Sequence, residues 1–251
     1  GVGKSTLLLD VAARAAEAAA QSGRAPVLYV SGEESASQVR LRAERIGALH
    51  DRLHLAAESD LATILGHVDS VRPSLLVVDS VQTAADSQIE GAAGGVAQVR
   101  GVTSALVADA KTRSMPVLLV GHVTKEGSIA GPRALEHLVD VVCQFEGDRH
   151  SPLRMVRAVK NRYGPTEEVG CFELNEAGIR GLADPSGLFL SSRRESVPGT
   201  CVTMALEGRR PMPVEVQALI VPSSGPPRRT TSGLESSRAA MAIAVLQSRL
   251  G

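Results

Sequence analysis

Tryptophan is absent, and two tyrosines and three phenylalanines are the only aromatics among 251 residues. A core made from this chain must therefore be built from Leu, Val, Ile and Ala. Net charge is missing too. Lys plus Arg number 27 and Asp plus Glu number 27, so global charge argues neither for nor against nucleic acid, and any basic site must be local. The three cysteines, Cys143, Cys171 and Cys201, form no C-x-x-C pair. That spacing indicates neither a zinc site nor a disulfide framework, and it predicts reduced, buried thiols in a cytoplasmic protein. No apolar run approaches the ~18 residues a membrane helix needs, and no signal-peptide pattern is visible. What is present is ordinary for a globular protein, with 43% hydrophobic and 22% charged residues.

Along the first half, short apolar runs alternate with helical stretches. "KSTLLLDVAARAAEAAAQ" is rich in helix formers with apolar residues at helical spacing. "APVLYVSG", "RLHLAAE", "SLLVVDS" and "PVLLVGHV" read as strands. Between them, "SASQVRLRAERIGA" reads as a helix capped by Ser35 or Ser37, "SDLATILGHVDSVR" as a helix stopped by Pro73, and "VAQVRGVTSALVADAKTRS" as a third. The alternation implies a parallel α/β sheet with helices on both faces. Beyond Leu138 come "VDVVCQFEG", "LRMVRAVKNRYG" and "EVGCFELN", expected to form a meander that extends the sheet. A Pro, Gly and Ser-rich linker over 184–197 divides residues 1–183 from a strand-like stretch and a final helix over 198–251.

Five motifs carry chemistry. Gly1, Val2, Gly3, Lys4, Ser5 and Thr6 match the last part of G-x-x-x-x-G-K-[ST], the phosphate-binding loop. Glycines let backbone N–H groups approach phosphates, and the helix that follows points its positive end at them. Lys4 would reach the β- and γ-phosphates of ATP, and the Ser5 hydroxyl would hold Mg²⁺. "LLVVDS" puts Asp79 at the C-terminal end of a buried strand, where it would support the same Mg²⁺. Glu33 and Glu34 follow the strand after the first helix. One carboxylate there can activate the water that attacks the γ-phosphate, and the other can stabilise the start of the next helix. His122 ends the strand beside that of Asp79, either as a γ-phosphate contact or as a structural histidine. The loop behind it carries Lys125 and Arg133, suited to a phosphate backbone or simply solvated. Arg154, Arg157, Lys160 and Arg162 form a basic cluster. It could bind DNA, reach the ATP of a neighbouring subunit, or be a solvated sheet edge.

Taken in order, GVGKSTLLL, YVSGEES, LLVVDSVQT, GHVTKEGSIAGPRALEHLVD and KNRYG resemble the bacterial RadA (Sms) family of DNA repair proteins. KNRYG, here Lys160, Asn161, Arg162, Tyr163 and Gly164, separates that family from other RecA-like ATPases; its usual form has Phe in place of Tyr163. The resemblance continues through "PGTCVTMALEGRRPMPVEVQALIVPS", similar to the start of the family's Lon-protease-like domain. It implies an α/β, RecA-like P-loop ATPase core with a mostly parallel sheet, followed by the start of a Lon-protease-like α+β domain. It also implies a DNA-dependent ATPase that forms a hexameric ring on single-stranded and branched DNA and drives branch migration with RecA. Carried over, Lys4 and Ser5 bind nucleotide and metal, Asp79 is the Walker-B aspartate, and Glu33 is the catalytic carboxylate. His122 is the γ-phosphate sensor, and Lys160 and Arg162 lie in the motif tied to ATP use and DNA binding. Zinc belongs to a four-cysteine module that precedes this region in the family.

Two further expectations follow. An ATP-regulated protease or protein-assembly scaffold is the alternative function, disfavoured because no Ser-Lys dyad is visible. And because the strand feeding the phosphate loop lies in the middle of a RecA-like sheet, these 251 residues alone are expected to fold poorly and bind ATP weakly.

Overall fold

The computed structural model describes residues 3–122, 135–147, 151–185, 198–222, 225 and 228–250. The first helix, α1 (Lys4–Gln21), precedes a parallel sheet of β1 (Val27–Ser31), β2 (Leu53–Ala57), β3 (Leu75–Asp79) and β4 (Val117–Leu119), in the order β2-β1-β3-β4. Helices α2 (Ala36–Arg45), α3 (Leu61–Val71) and α4 (Val96–Thr112) make the crossovers.

The strands are nearly continuous apolar runs because both sheet faces are covered. Side chains alternate between faces, so Leu28, Val30, Leu76 and Val78 pack with Ile64 and Val68 of α3 and Val102 and Leu106 of α4. Val27, Tyr29 and Val77 pack on the other face with Leu9, Ala12 and Ala16 of α1 and Val39 and Ala43 of α2. Fully burying each such Val or Leu contributes about 1.5–3 kcal/mol, which makes this the most strongly held part of the chain.

Local signals fix the helix ends. Ser35 accepts from the Gln38 N–H in a reciprocal capping box, which selects it over Ser37 as the α2 cap. Asp60 caps α3 through a 2.9 Å bond from the Thr63 N–H. The same helix ends at Arg72, in the left-handed region at φ 47, directly before Pro73.

The strands after Leu138 differ from expectation. β5 (Val141–Glu146), β6 (Leu153–Asn161), β7 (Val169–Asn175) and β8 (Gly178–Gly181) form a four-stranded antiparallel sheet of their own, in sequence order, rather than an extension of the parallel one. Adjacent strands satisfy each other's backbone groups, and among the described residues β4 pairs with β3 alone. β8 was not visible as a strand. It follows a two-residue turn at Glu176 and Ala177 and begins at Gly178, whose φ of 129 few other residues adopt.

β9 (Thr200–Glu207) and β10 (Arg210–Gln217) make a two-stranded sheet, and α5 (Ser236–Leu250) closes the described chain. Met212 of β10 is buried with Leu153, Val169 and Cys171. Arg210 adds hydrogen bonds to the carbonyls of Val169 (3.2 Å), Leu182 (3.3 Å) and Ala183. The chain divides into two compact units, one of Gly1–Arg193 with Val202–Glu215, the other of Arg194–Cys201 with Val216–Gly251. Of the three cysteines, Cys171 is buried as expected, but Cys143 and Cys201 are exposed. Among the described residues no helix is long and apolar enough to cross a membrane.

Candidate functional site

The parallel register places Ser31 opposite Asp79, so the loops leaving β1 and β3 emerge side by side at the carboxyl end of the sheet. This is where open α/β sheets bind ligands. The loops are tightly joined: the Gly32 N–H donates to the Asp79 carbonyl at 2.9 Å. A Cβ on Gly32 would lie 2.1 Å from Thr83 Oγ1, so only glycine fits this approach. The Asp79–Ser80 peptide is cis.

Lys4, at the start of α1, reaches across to the end of β4. Its Nζ donates to the Gly121 carbonyl at 2.8 Å and lies 3.2 Å from His122 Nδ1. Burial lowers the Lys4 pKa below its ordinary value, and the nearby Asp79 and Glu33 carboxylates partly offset the shift. An ammonium has no lone pair, so Nδ1 must be the acceptor and Nε2 carries the ring proton. Nε2 lies 3.3 Å from Glu33 Oε1, which also accepts from Ser80 Oγ at 2.9 Å. Lys4, His122, Glu33 and Ser80 thus form one connected polar chain across the mouth of the sheet.

The two glutamates separate cleanly. Glu33 faces this cluster. Glu34 forms an ion pair with Arg42 of α2, and its N–H donates to Ser31 Oγ at 3.0 Å, so it belongs to the scaffold of the next helix.

Asp79 is buried at 6% exposure, and its Oδ2 accepts from the Tyr29 hydroxyl at 2.7 Å. Burial first, and the Asp79 charge second, push the Tyr29 pKa far up, so the phenol remains a donor. Neither Tyr29 nor Ser80 was marked by the sequence. Tyr29 was readable only as a buried strand residue; its register against β3 is a tertiary fact. Ser80 directly follows Asp79, which is a usable signal only once Glu33 is known to face it.

These residues fit a nucleotide triphosphate with a divalent cation. Gly3, at the α1 N-cap, has φ 99 and the helix start carries no side-chain cap, which suits anion binding by backbone N–H groups. Ser5 lies in the first turn of α1, half-buried. Among the described residues no group of three or more His, Cys, Asp or Glu could hold a metal ion. A hard cation held by Ser5 and Asp79, with water and phosphate oxygens completing its shell, fits that donor set as Mg²⁺ does.

The basic cluster divides. Lys160 Nζ donates to the carbonyls of Glu136 and, at 2.8 Å, Val139. Arg162 Nη1 pairs with Asp140 at 3.3 Å, and its N–H donates to the Asp140 carbonyl at 3.1 Å. Both residues therefore hold the 136–140 turn. Asn161 accepts from the Tyr163 N–H at 3.0 Å and donates to the Pro165 carbonyl at 3.2 Å, folding KNRYG into a turn that leaves Tyr163 80% exposed. Gly164 lies against Asn161 in the same turn. Arg157 pairs with Glu146 at 3.5 Å. Arg154, the other member read as a candidate DNA contact, is buried at 6% exposure; it donates to the carbonyls of Ser151 (2.6 Å) and Leu153 (2.7 Å) and packs against Gly147. Gly1, Val2, Lys125 and Arg133 lie outside the described residues.

The comparisons agree with this geometry. The AAA-domain family model matches residues 1–128. DNA repair protein RadA of Mycolicibacterium smegmatis is 60% identical over 253 residues, covering 99% of this chain and 53% of the relative. DNA repair protein RadA of Bacillus subtilis is 48% identical over 252 residues, covering 100% of this chain and 54% of the relative. The chain spans about half the length of the curated relatives it matches. Among solved structures, a KaiC-like protein of Pyrococcus horikoshii superposes with a TM-score of 0.52 at 18% identity, over 72% of this chain and 85% of that one, so the two share a fold. With Lys4, Asp79 and Glu33 converging on an α/β sheet and relatives this close over its whole length, the chain belongs to the RadA family of DNA repair proteins.

Proposed function

We propose that this chain is the ATP-hydrolysing core of a DNA-dependent motor in recombinational repair, which drives branch migration of recombination intermediates together with RecA. The observation that carries the reading is the convergence of Lys4, His122 and Glu33 beside the buried Asp79. Close relatives named as DNA repair proteins support the process.

In this reading Lys4 exchanges the Gly121 carbonyl and His122 for phosphate oxygens, a charge-assisted contact stronger than the neutral ones it leaves. Ser5 and Asp79 would hold Mg²⁺, which would supply charge neutralisation on the phosphates. Glu33 orients the attacking water and takes its proton as the oxygen adds to the γ-phosphorus and the bond to the β-phosphate oxygen breaks, leaving ADP and phosphate. His122, released by Lys4, is placed to contact the γ-phosphate. Gly1 and Val2 complete the phosphate loop.

DNA contact falls to Lys125, Arg133 and Arg157, with Lys160 and Arg162 acting on DNA or on a neighbour's ATP. The working form is a cytoplasmic hexameric ring on single-stranded and branched DNA. Residues 1–183 are its ATPase domain, and 198–251, after the 184–197 linker, begin a Lon-protease-like domain that serves as scaffold. Zinc belongs to a separate module outside this chain. The test is ATP hydrolysis by the full-length protein with and without single-stranded DNA. Stimulation by DNA is expected; turnover indifferent to DNA, together with casein cleavage, would overturn the reading.

A further inference from the structure

Glu33 is exposed, on a loop, and carries a flexible side chain, yet a base for water activation has to be held in one orientation. Ser80 Oγ donates to its Oε1 at 2.9 Å, and His122 Nε2 lies 3.3 Å from the same oxygen. They differ in permanence. His122 is exposed, and its other ring nitrogen is held by Lys4, a contact for which nucleotide phosphates compete. Ser80 is fully buried at 0% exposure.

The backbone on both sides of Ser80 is fixed. Its carbonyl accepts from Thr83 Oγ1 at 2.8 Å, and the next N–H, of Val81, donates to the Val120 carbonyl at 3.0 Å. Thr83 in turn abuts Gly32, the residue before Glu33. A buried hydroxyl needs an acceptor, and Ser80 finds it in Glu33. With Oε1 occupied, Oε2 is left for the water.

We propose that Ser80 is a positioning residue for Glu33, keeping the carboxylate aligned through the cycle when His122 turns to the nucleotide. This rests on the ATPase reading above and assigns a part to a residue that touches neither phosphate nor metal in that reading.

The test uses the full-length protein, with steady-state ATPase, nucleotide affinity by a fluorescent ATP analogue, and thermal melting measured on each variant. Ser80→Ala is expected to lower kcat about tenfold, the worth of one hydrogen bond to a charged group, with KM and nucleotide affinity within about twofold of wild type. Ser80→Thr, which keeps the hydroxyl, is expected to recover most of kcat. In a Glu33→Gln background, Ser80→Ala is expected to cause no further loss in single-turnover hydrolysis, because both changes act through one carboxylate. An unchanged kcat in Ser80→Ala, or an equal fold-loss with and without Glu33→Gln, would overturn the assignment. So would a tenfold loss matched by weakened nucleotide binding. Wild-type protein that hydrolyses no ATP would instead overturn the ATPase reading itself, and this inference with it.

Discussion

Tyr29 donates a 2.7 Å hydrogen bond to Oδ2 of Asp79, and both side chains are buried. One of the five aromatic side chains of the sequence thus holds the carboxylate at the end of β3. The bond fixes the carboxylate's rotation, and in the proposed ATPase Oδ1 would be the oxygen left for the metal shell. Tyr29→Phe keeps the packing and removes only the hydroxyl, leaving a buried carboxylate oxygen without this donor. It should cost about 1–3 kcal/mol of stability. It should also raise the Mg²⁺ concentration for half-maximal ATPase, with little change in kcat at saturating Mg²⁺. Denaturant melts and a Mg²⁺ titration check both.

Arg154 and Arg157 look alike in sequence, three residues apart on one strand-like run, but the structure separates them. Arg154→Ala empties a buried position lined by the Ser151 and Leu153 carbonyls, and should cost about 1–3 kcal/mol in stability. Any loss of DNA affinity should then disappear at temperatures where the variant is fully folded. Arg157→Ala, which loses a pair with Glu146 at a more exposed position, should cost less stability than Arg154→Ala. DNA binding against salt, measured beside the melts, distinguishes the two.

Lys160 donates to two carbonyls of the 136–140 turn, whereas Arg162 has one long, half-exposed ion pair to Asp140. Lys160→Ala should therefore lower both stability and ATPase. Arg162→Ala should lower ATPase or DNA binding while leaving the melting temperature nearly unchanged. Mixing Arg162→Ala with Lys4→Ala subunits restores ATPase if Arg162 acts on a neighbour's nucleotide; mixtures without complementation assign it to DNA.

Asp60 caps α3, and its pKa is lowered first by the Thr63 hydroxyl and then by the Thr63 N–H. A carboxyl whose folded pKa is depressed contributes stability above its unfolded value, and that contribution is lost as pH falls through the folded value. Asp60→Ala should thus melt below wild type at neutral pH, and the gap should close as pH drops below the ordinary 3.8. Melting curves from pH 7 to pH 3 measure it.

Most of the first half was legible because its signals are local. Helix formers at apolar helical spacing place α1 at the expected Lys4–Gln21, and "SLLVVDS" contains β3. Asp79 ends β3 and Glu33 follows β1, so their convergence at one end of the sheet follows from the α/β alternation. Tyr29 and Ser80 were not legible, because what they touch depends on strand register and on a loop folding back. The burial of Arg154 was not legible either: an Arg on a strand is exposed by default, and the close approach of Gly147 and two turning carbonyls is tertiary. The separate antiparallel sheet was missed for a similar reason. Hairpin propensity says which strands pair with each other, not which larger sheet they join.

The most direct measurement of the central claim compares Glu33→Gln with Glu34→Gln in the full-length protein, reading ATP affinity and single-turnover hydrolysis in each. Glu33→Gln should bind ATP as tightly as wild type and lose hydrolysis by at least about a hundredfold, as expected for removal of a general base. Glu34→Gln should keep turnover near wild type and show only the loss of its ion pair with Arg42. Hydrolysis surviving in Glu33→Gln and lost in Glu34→Gln would contradict the account, because the carboxylate that faces Lys4, His122 and Ser80 would then not be the one that does the chemistry.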